Sequence, residues 1–329
     1  MTLHEAVRIH NDLWVILYKP TAWPSSSYIY LIEDQGGLTI IDARIGTDAV
    51  FDSVLKCLAE QGFDPSLIHT ILLTHAHTDH IGGISKIKHL SNPRILIPEL
   101  DVPEATDPVR HVDDIMSPRI RSYYAEKLKG WDLSRHLFDT CGDWLLDEND
   151  QMQVIKDGDE IRAGRYLFEA IWTPGHDVGE MVYWEPEHKM LFTGDLLKTS
   201  GTGLPWYSRA SGGIDAYLKS LEKIKKLNVK RVLPSHGVMD KTFEEGVVET
   251  RDIILGRERK ILRALEKGPK SLKELDRTLF PEWFWNMSPW VSSITDAHLC
   301  KLETEGILRQ ADGRFFMQPG TPEEIHGVL

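Results

Sequence analysis

Apolar residues in this chain fall into short runs punctuated by turn formers, and the runs switch between strand-like and helix-like spacing. Residues 13–18 and 27–42 read as strands, with Asp34-Gln35-Gly36-Gly37 as the turn joining the second pair. Val50, Val54, Leu55 and Leu58 share one face at helical period, which predicts a helix over about 47–61. The run 68–73 reads as a buried strand, a helix begins near Ile84, and 94–97 is the next strand. Residues 99–150 break this alternation. They are rich in charges and aromatics (Tyr123, Tyr124, Trp131, Phe138, Trp144) and read as two or three helices inserted between strands. Such an insertion is either a lid or pocket wall, or a structural hairpin or subunit contact. Apolar strand runs return at 169–173, 189–193 and 230–233, and a long helical pattern covers 243–265.

From about residue 255 the character changes. Gly268-Pro269 stops a helix, and Ser271 with Glu274 has the spacing of a capping box. A further helix is expected over about 288–305, followed by alternating segments 306–310 and 314–317 around Asp312-Gly313, a hairpin signal. Three helices and a hairpin resemble a winged-helix domain. The expected division is therefore a first domain over 1–254 and a small second one over 255–329.

The chemistry is concentrated where strand 68–73 ends. Thr74-His75-Ala76-His77-Thr78-Asp79-His80-Ile81-Gly82-Gly83 packs three imidazoles and a carboxylate into six positions. His75 and His77 alternate by two, so an extended backbone points them to one side. Asp79 and His80 lie at the turn, and the glycine pair lets the chain bend into the next helix. Imidazole nitrogen and carboxylate oxygen are the donors that zinc and neighbouring metals take. The later strands end in the same way. Thr173-Pro174-Gly175-His176, Thr193-Gly194-Asp195 and Pro234-Ser235-His236-Gly237 each deliver one more donor just past an apolar run. Together the residues point to two neighbouring metal positions.

The set His-x-His-x-Asp-His, then His, Asp and His, resembles the signature of the metallo-β-lactamase-fold hydrolases, over roughly residues 10 to 250. That resemblance implies an α/β fold, an αββα sandwich, here carrying the winged-helix-like α+β domain at its C-terminus. It implies that His75, His77 and His176 bind a first metal, that Asp79, His80 and His236 bind a second, and that Asp195 bridges them. Two divalent ions are expected, zinc first, with iron or manganese also compatible with the donors. The redox branch of the superfamily usually has Glu at the second histidine position, so His77 favours hydrolysis. Two metals about 3.5–4 Å apart share a hydroxide and polarise the bond to be cut. Asp79 is the candidate to orient that hydroxide and carry its proton, or else a ligand only. Asp42, at the end of strand 38–42, occupies a position where the family has a carboxylate that steadies a ligand histidine.

Composition narrows the partners. A net charge of −12 disfavours an extended nucleic-acid footprint. The helix over 288–305 holds Asp296, Lys301, Glu303 and Glu305, which is no basic reading face. Arg257, Arg259, Lys260, Arg263, Lys267, Lys270 and Lys273 are interrupted by acids and read as a solvated face. Trp283-Phe284-Trp285 with Trp290 suggest packing onto the first domain or a homodimer partner. Cys57, Cys141 and Cys300 show no pairing pattern and read as reduced thiols of a cytoplasmic protein. Met1 to His10 shows no secretory signal, and no stretch has 18 apolar residues, so no membrane span is expected.

In the loop after Asp195, Trp206 and Tyr207 are expected to be exposed, with Arg209 nearby. Tyr207 is the candidate catalytic hydrogen-bond donor to a developing oxyanion, or else loop packing. Tyr183 and Trp184 lie on a strand and read as core. The resemblance places glutathione recognition, in relatives that cleave its thioesters, in basic residues near the C-terminus. Here that region has become the winged-helix-like domain. The leading expectation is hydrolysis of a small carboxylic ester, a thioester or a lactone. The alternatives are a phosphodiesterase or endoribonuclease on the same two metals, and a non-catalytic regulator that senses a ligand.

Overall fold

A computed structural model of the chain describes residues 4–18, 27–130, 132–197, 205–237, 240–282 and 288–318. Trp131 and the run Trp283-Phe284-Trp285 lie outside the described residues. Seven strands form the first sheet in sequence order: β1 (His4–His10), β2 (Leu13–Tyr18), β3 (Ile29–Asp34), β4 (Gly37–Ile41), β5 (Ile68–Leu72), β6 (Arg94–Pro98) and β7 (Met152–Ile155). The first four run antiparallel, and β4 through β7 run parallel. The second sheet contains β8 (Glu160–Ala163), β9 (Tyr166–Trp172), β10 (Met181–Glu185), β11 (Met190–Gly194) and β12 (Arg231–Pro234), in the order β12-β11-β10-β9-β8.

The two sheets face each other. Leu13, Val15, Tyr30, Ile32, Ile41 and Leu72 from the first sheet pack with Phe168, Ala170, Tyr183, Phe192 and Leu233 from the second. The alternate residues Ile16, Ile29, Leu31, Ile40 and Ile71 point the other way, into a second apolar layer under the helices. Both faces of the inner strands are thus buried, which is why 29–32 and 38–41 are mostly apolar rather than alternating. Tyr183 and Trp184 are buried, as expected. β1 was hidden in the sequence because it is an edge strand with one covered face. Its stretch of charges pairs antiparallel with β2 and buries little beyond His4.

Helices α1 (Asp48–Glu60), α2 (Thr78–Ile81) and α3 (Ile84–Ser91) follow β4 and β5. Among the described residues the insertion holds five short α-helices rather than two or three: α4 (Val102–Thr106), α5 (Pro108–Ile115), α6 (Pro118–Tyr123), α7 (Ala125–Leu128) and α8 (Leu133–Cys141). Its caps explain the subdivision. Asp107, Ser117 and Asp132 accept from the first-turn amides of α5, α6 and α8, and Pro108 and Pro118 start two of these helices. Phe138 stacks on the fully buried Trp144 with centroids 4.3 Å apart, so these aromatics are core.

The remaining helices are α9 (Gly213–Ile224), α10 (Phe243–Glu266), α11 (Leu272–Leu279) and α12 (Ser288–Thr304). A small sheet in the order β13-β15-β14 closes the chain, from β13 (Lys270–Ser271), β14 (Leu308–Ala311) and β15 (Arg314–Met317). The division expected at residue 254 falls inside α10, a single 24-residue helix that both lobes share. The Ser271–Glu274 capping box forms at the start of α11. Helix α12 is buried at every position from Val291 to Leu299. Asp296 on α12 accepts from Ser117 at 2.5 Å and Arg119 at 2.8 Å, and Ser292 meets the Tyr124 hydroxyl at 2.8 Å. The insertion is therefore a bracket onto the C-terminal helices. Arg257 departs from the solvated face expected for its neighbours and is buried.

Candidate metal centre

The donors converge because one end of both sheets collects them. β5 delivers His75 and His77, β9 delivers His176, β11 delivers Asp195, and β12 delivers His236. The loop after β5 is clamped from behind. Ala43 N donates to the His80 carbonyl at 2.7 Å, and Gly83 N donates to the Arg44 carbonyl at 2.7 Å. The backbone approach is too close for side chains: a Cβ on Gly82 would sit 2.1 Å from the Cys141 carbonyl oxygen, and one on Gly83 2.3 Å from that of Ala43. Gly82 has an ordinary helical φ of −56°, so close contact, not a bend, requires the glycine pair.

Three ring nitrogens meet at one point. His77 Nδ1 lies 3.0 Å from His75 Nε2 and 2.9 Å from His176 Nε2. One Nδ1 hydrogen cannot serve both neighbours, so this is not a hydrogen-bonded trio. Tetrahedral zinc with bonds of about 2.0–2.1 Å would hold such nitrogens about 3.3 Å apart, a few tenths of an ångström more open.

The outer nitrogens are committed elsewhere. His75 Nδ1 meets Thr74 Oγ1 at 3.1 Å, and Thr74 Oγ1 donates to Asp42 at 3.0 Å. His176 Nδ1 donates to the Trp206 carbonyl at 3.1 Å, and His77 Nε2 faces the buried Asp177 carboxylate at 3.3 Å. With protons on the outer nitrogens, the inner ones present lone pairs. Burial, together with the charges of His80, His77 and His176, holds His75 well below the usual imidazole range, so it is neutral.

The second group is Asp79, His80 and His236. His236 Nε2 lies 3.1 Å from Asp79 Oδ2, and His80 Nε2, fully buried, lies 3.9 Å from the same oxygen. Asp195 divides its carboxylate between the groups. Oδ1 is 3.4 Å from His236 and 3.7 Å from His80, while Oδ2 is 3.5 Å from His176. His80 Nδ1 donates to Asp42 Oδ2 at 2.9 Å. Burial alone would depress His80, but the Asp42 and Asp79 carboxylates push it up to about 10. Burial also opposes the charge on Asp79, yet His80 and His236 outweigh it and hold Asp79 below the usual carboxylate range. His80 thus lies between the Asp42, Asp79 and Asp195 carboxylates, a place where a divalent cation would take over the charge of its proton. The donor chemistry and its outward partners fit a pair of divalent ions.

Tyr207 corrects an expectation. It is fully buried, and its hydroxyl meets His298 Nε2 on α12 at 2.7 Å, so it donates nothing toward the site. Neighbours in an extended segment point opposite ways, and here Trp206 faces the site. Its ring is partly buried, with its centroid 5.2 Å from that of His77 and 5.7 Å from that of His176. Arg209 is exposed. The sequence reading overlooked Asp177, Thr74 and the buried Glu180, whose Oε1 accepts the Asp195 amide at 2.6 Å. Adjacency to His176 and His75 was the available signal for the first two.

The family description "Metallo-beta-lactamase superfamily" matches residues 22–236. The beta-lactamase-like protein 2 homolog of Caenorhabditis elegans is 27% identical over 72% of this chain and 64% of its own length. The atrochrysone carboxyl ACP thioesterase of Aspergillus fumigatus is 27% identical over 72% of this chain and 59% of its own. The chain thus spans less than two thirds of either relative. A hydroxyacylglutathione hydrolase of Pseudomonas aeruginosa is 25% identical over 79% of this chain and 78% of its own. Among solved structures, a metallo-beta-lactamase family protein from Thermus thermophilus superposes with a TM-score of 0.73 at 22% identity, covering 89% of this chain and 94% of that one. That likeness is one of fold.

Proposed function

The chain belongs to the metallo-beta-lactamase superfamily, and from that premise we propose that it is a metal-dependent hydrolase that cleaves acyl thioesters using two divalent ions, zinc in the first place. His75, His77 and His176 would hold one ion, Asp79, His80 and His236 the other, and Asp195 would span both. The observation that carries this reading is the division of the Asp195 carboxylate, Oδ2 toward His176 and Oδ1 toward His80 and His236. The thioester class is supported by two relatives, one named a thioesterase and the other a hydrolase of hydroxyacylglutathione.

When bound, the ions supply Lewis acidity toward the acyl carbonyl and bring the pKa of water toward neutrality. The chain's own groups do the rest. Asp42 and Thr74 keep His80 and His75 oriented, and Glu180 fixes the turn at Asp195. Asp79 is ionised and, with 16% of its side chain exposed against 8% for Asp195, is the more open carboxylate. It takes the proton shed by the attacking water. The proton then passes to the departing thiolate, which is far more basic than a carboxylate. Trp206 walls the site beside His77.

The test is thiol release from a panel of acyl thioesters by the zinc-loaded protein, with His77→Ala as blank. Metal-dependent release well above the blank is expected. Release no greater than the blank would overturn the thioester reading, and parallel lactone and phosphodiester assays would identify the class that replaces it.

A further inference from the structure

The segment 205–207 joins two parts of the molecule that the reaction does not obviously connect. On one side the Trp206 carbonyl accepts from His176 Nδ1 at 3.1 Å, and the Trp206 ring stands nearly perpendicular to that of His77 with centroids 5.2 Å apart. On the other, every residue of the segment is tied to the C-terminal lobe. The buried Arg257 on α10 donates to the Pro205 carbonyl at 2.6 Å. The Trp206 indole N–H donates to the Trp290 carbonyl on α12 at 3.1 Å. The Tyr207 hydroxyl meets His298 Nε2 at 2.7 Å, and the Arg257 guanidinium lies 5.3 Å from the Tyr207 ring. The bonds from Arg257 and to His298 are buried and that to Trp290 is partly buried, and a buried one is costly to leave unmade. They are also more than is needed to cover apolar surface.

We propose that the C-terminal lobe acts on the reaction through Trp206: Arg257, Trp290 and His298 are positioning groups that hold 205–207, so that the Trp206 ring forms the wall against which the acyl group lies and its carbonyl keeps His176 aimed inward. A flat aromatic wall beside the scissile carbonyl favours apolar or aromatic acyl groups over small polar ones. Trp206 is the residue that sets acyl selectivity, and α10 and α12 serve as its support rather than as a nucleic-acid reader. The selectivity part rests on the thioester reading above; the support of His176 does not.

The experiment uses the full-length zinc-loaded protein and two substrates, acetyl and phenylacetyl thioesters of one thiol, with zinc affinity measured separately by chelator competition. Trp206→Ala should lower the phenylacetyl-to-acetyl ratio of kcat/KM by about tenfold, mainly through KM, and Trp206→Phe should restore most of it. Tyr207→Phe removes one tie and keeps the ring. It should lower the same ratio by about threefold and weaken zinc binding by up to about tenfold, since it disturbs the partner of a metal-holding histidine. A lobe with a merely structural role would shift the melting temperature of Tyr207→Phe and leave both readouts at wild-type values, which would overturn the proposal. If the wild type cleaves neither thioester, the zinc arm decides alone. Weaker zinc binding in Tyr207→Phe upholds the support of His176 while the thioester reading falls, and unchanged binding overturns both.

Discussion

Two buried polar clusters in this molecule are built on opposite principles. Around β5, imidazoles turn their outer nitrogens to Thr74, Asp42 and the Trp206 carbonyl, and aim their inner ones at a common point. In the C-terminal lobe the polar groups close on each other. Ser292 and Thr295 both donate to Asp276 at 2.5 Å, and Lys301 donates to Glu258 at 3.1 Å. The first cluster is satisfied on its outside and open at its centre, while in the second Asp276 has a hydroxyl on each oxygen and His298 Nδ1 faces the Glu258 carboxylate at 3.5 Å. Burial does not separate them, since His75 and His298 are both fully buried. The direction in which unused lone pairs point does separate them, and this marks a site built for a cation rather than for cohesion.

The contrast breaks most sharply at Asp195. Asp195→Ala removes the carboxylate shared by both halves of the first cluster and should cost on the order of a thousandfold in thiol release, read against bound zinc. Asp276→Asn, in the second cluster, should leave zinc content unchanged. A smaller effect is expected one layer out. Asp42 sits at φ 61° and accepts from Thr74, His80 and Ser235. Asn tolerates that backbone conformation, so Asp42→Asn should fold and should weaken zinc affinity by about 10–100-fold in chelator competition. Wild-type affinity in that variant would show that the outward partners do not matter.

The smallest effect concerns the self-contained cluster. Burial raises Asp276 to about 6, despite the Ser292 and Thr295 hydroxyls that favour its charge. The folded state therefore holds a proton that the unfolded chain releases near pH 4. Stability should fall as pH rises from about 4 to about 6, by about 3 kcal/mol, and the loss should persist above that range. Asp276→Asn should flatten this segment of the stability curve relative to wild type, as read by denaturant melts.

What could be read in the sequence follows the same division. The donors were legible because each follows an apolar strand and most of them lie within 75–80, so local spacing carried the information. Of their orienting partners Asp42 was legible through the family resemblance, and it does hold His80; the others were not, because the contact from the Trp206 carbonyl to His176 spans 30 positions and a backbone carbonyl has no sequence signature. Tyr207 was misread for a related reason: proximity to Asp195 along the chain says nothing about which way an extended segment alternates. The glycine pair was identified, but for the wrong cause, since the Cys141 carbonyl that packs on Gly82 comes from the last helix of the insertion. In the C-terminal lobe the capping box and hairpin were visible locally, whereas the burial of α12 depends on Ser117 and Arg119 from the insertion.

The most direct measurement is zinc stoichiometry of the full-length protein by equilibrium titration from the metal-free state, for the wild type and for His236→Ala. Two tightly bound ions per chain, falling to one in His236→Ala with the other held by His75, His77 and His176, is the result predicted. One ion or none in the wild type, or two ions undiminished in the variant, would contradict the division of the site into two groups joined by Asp195.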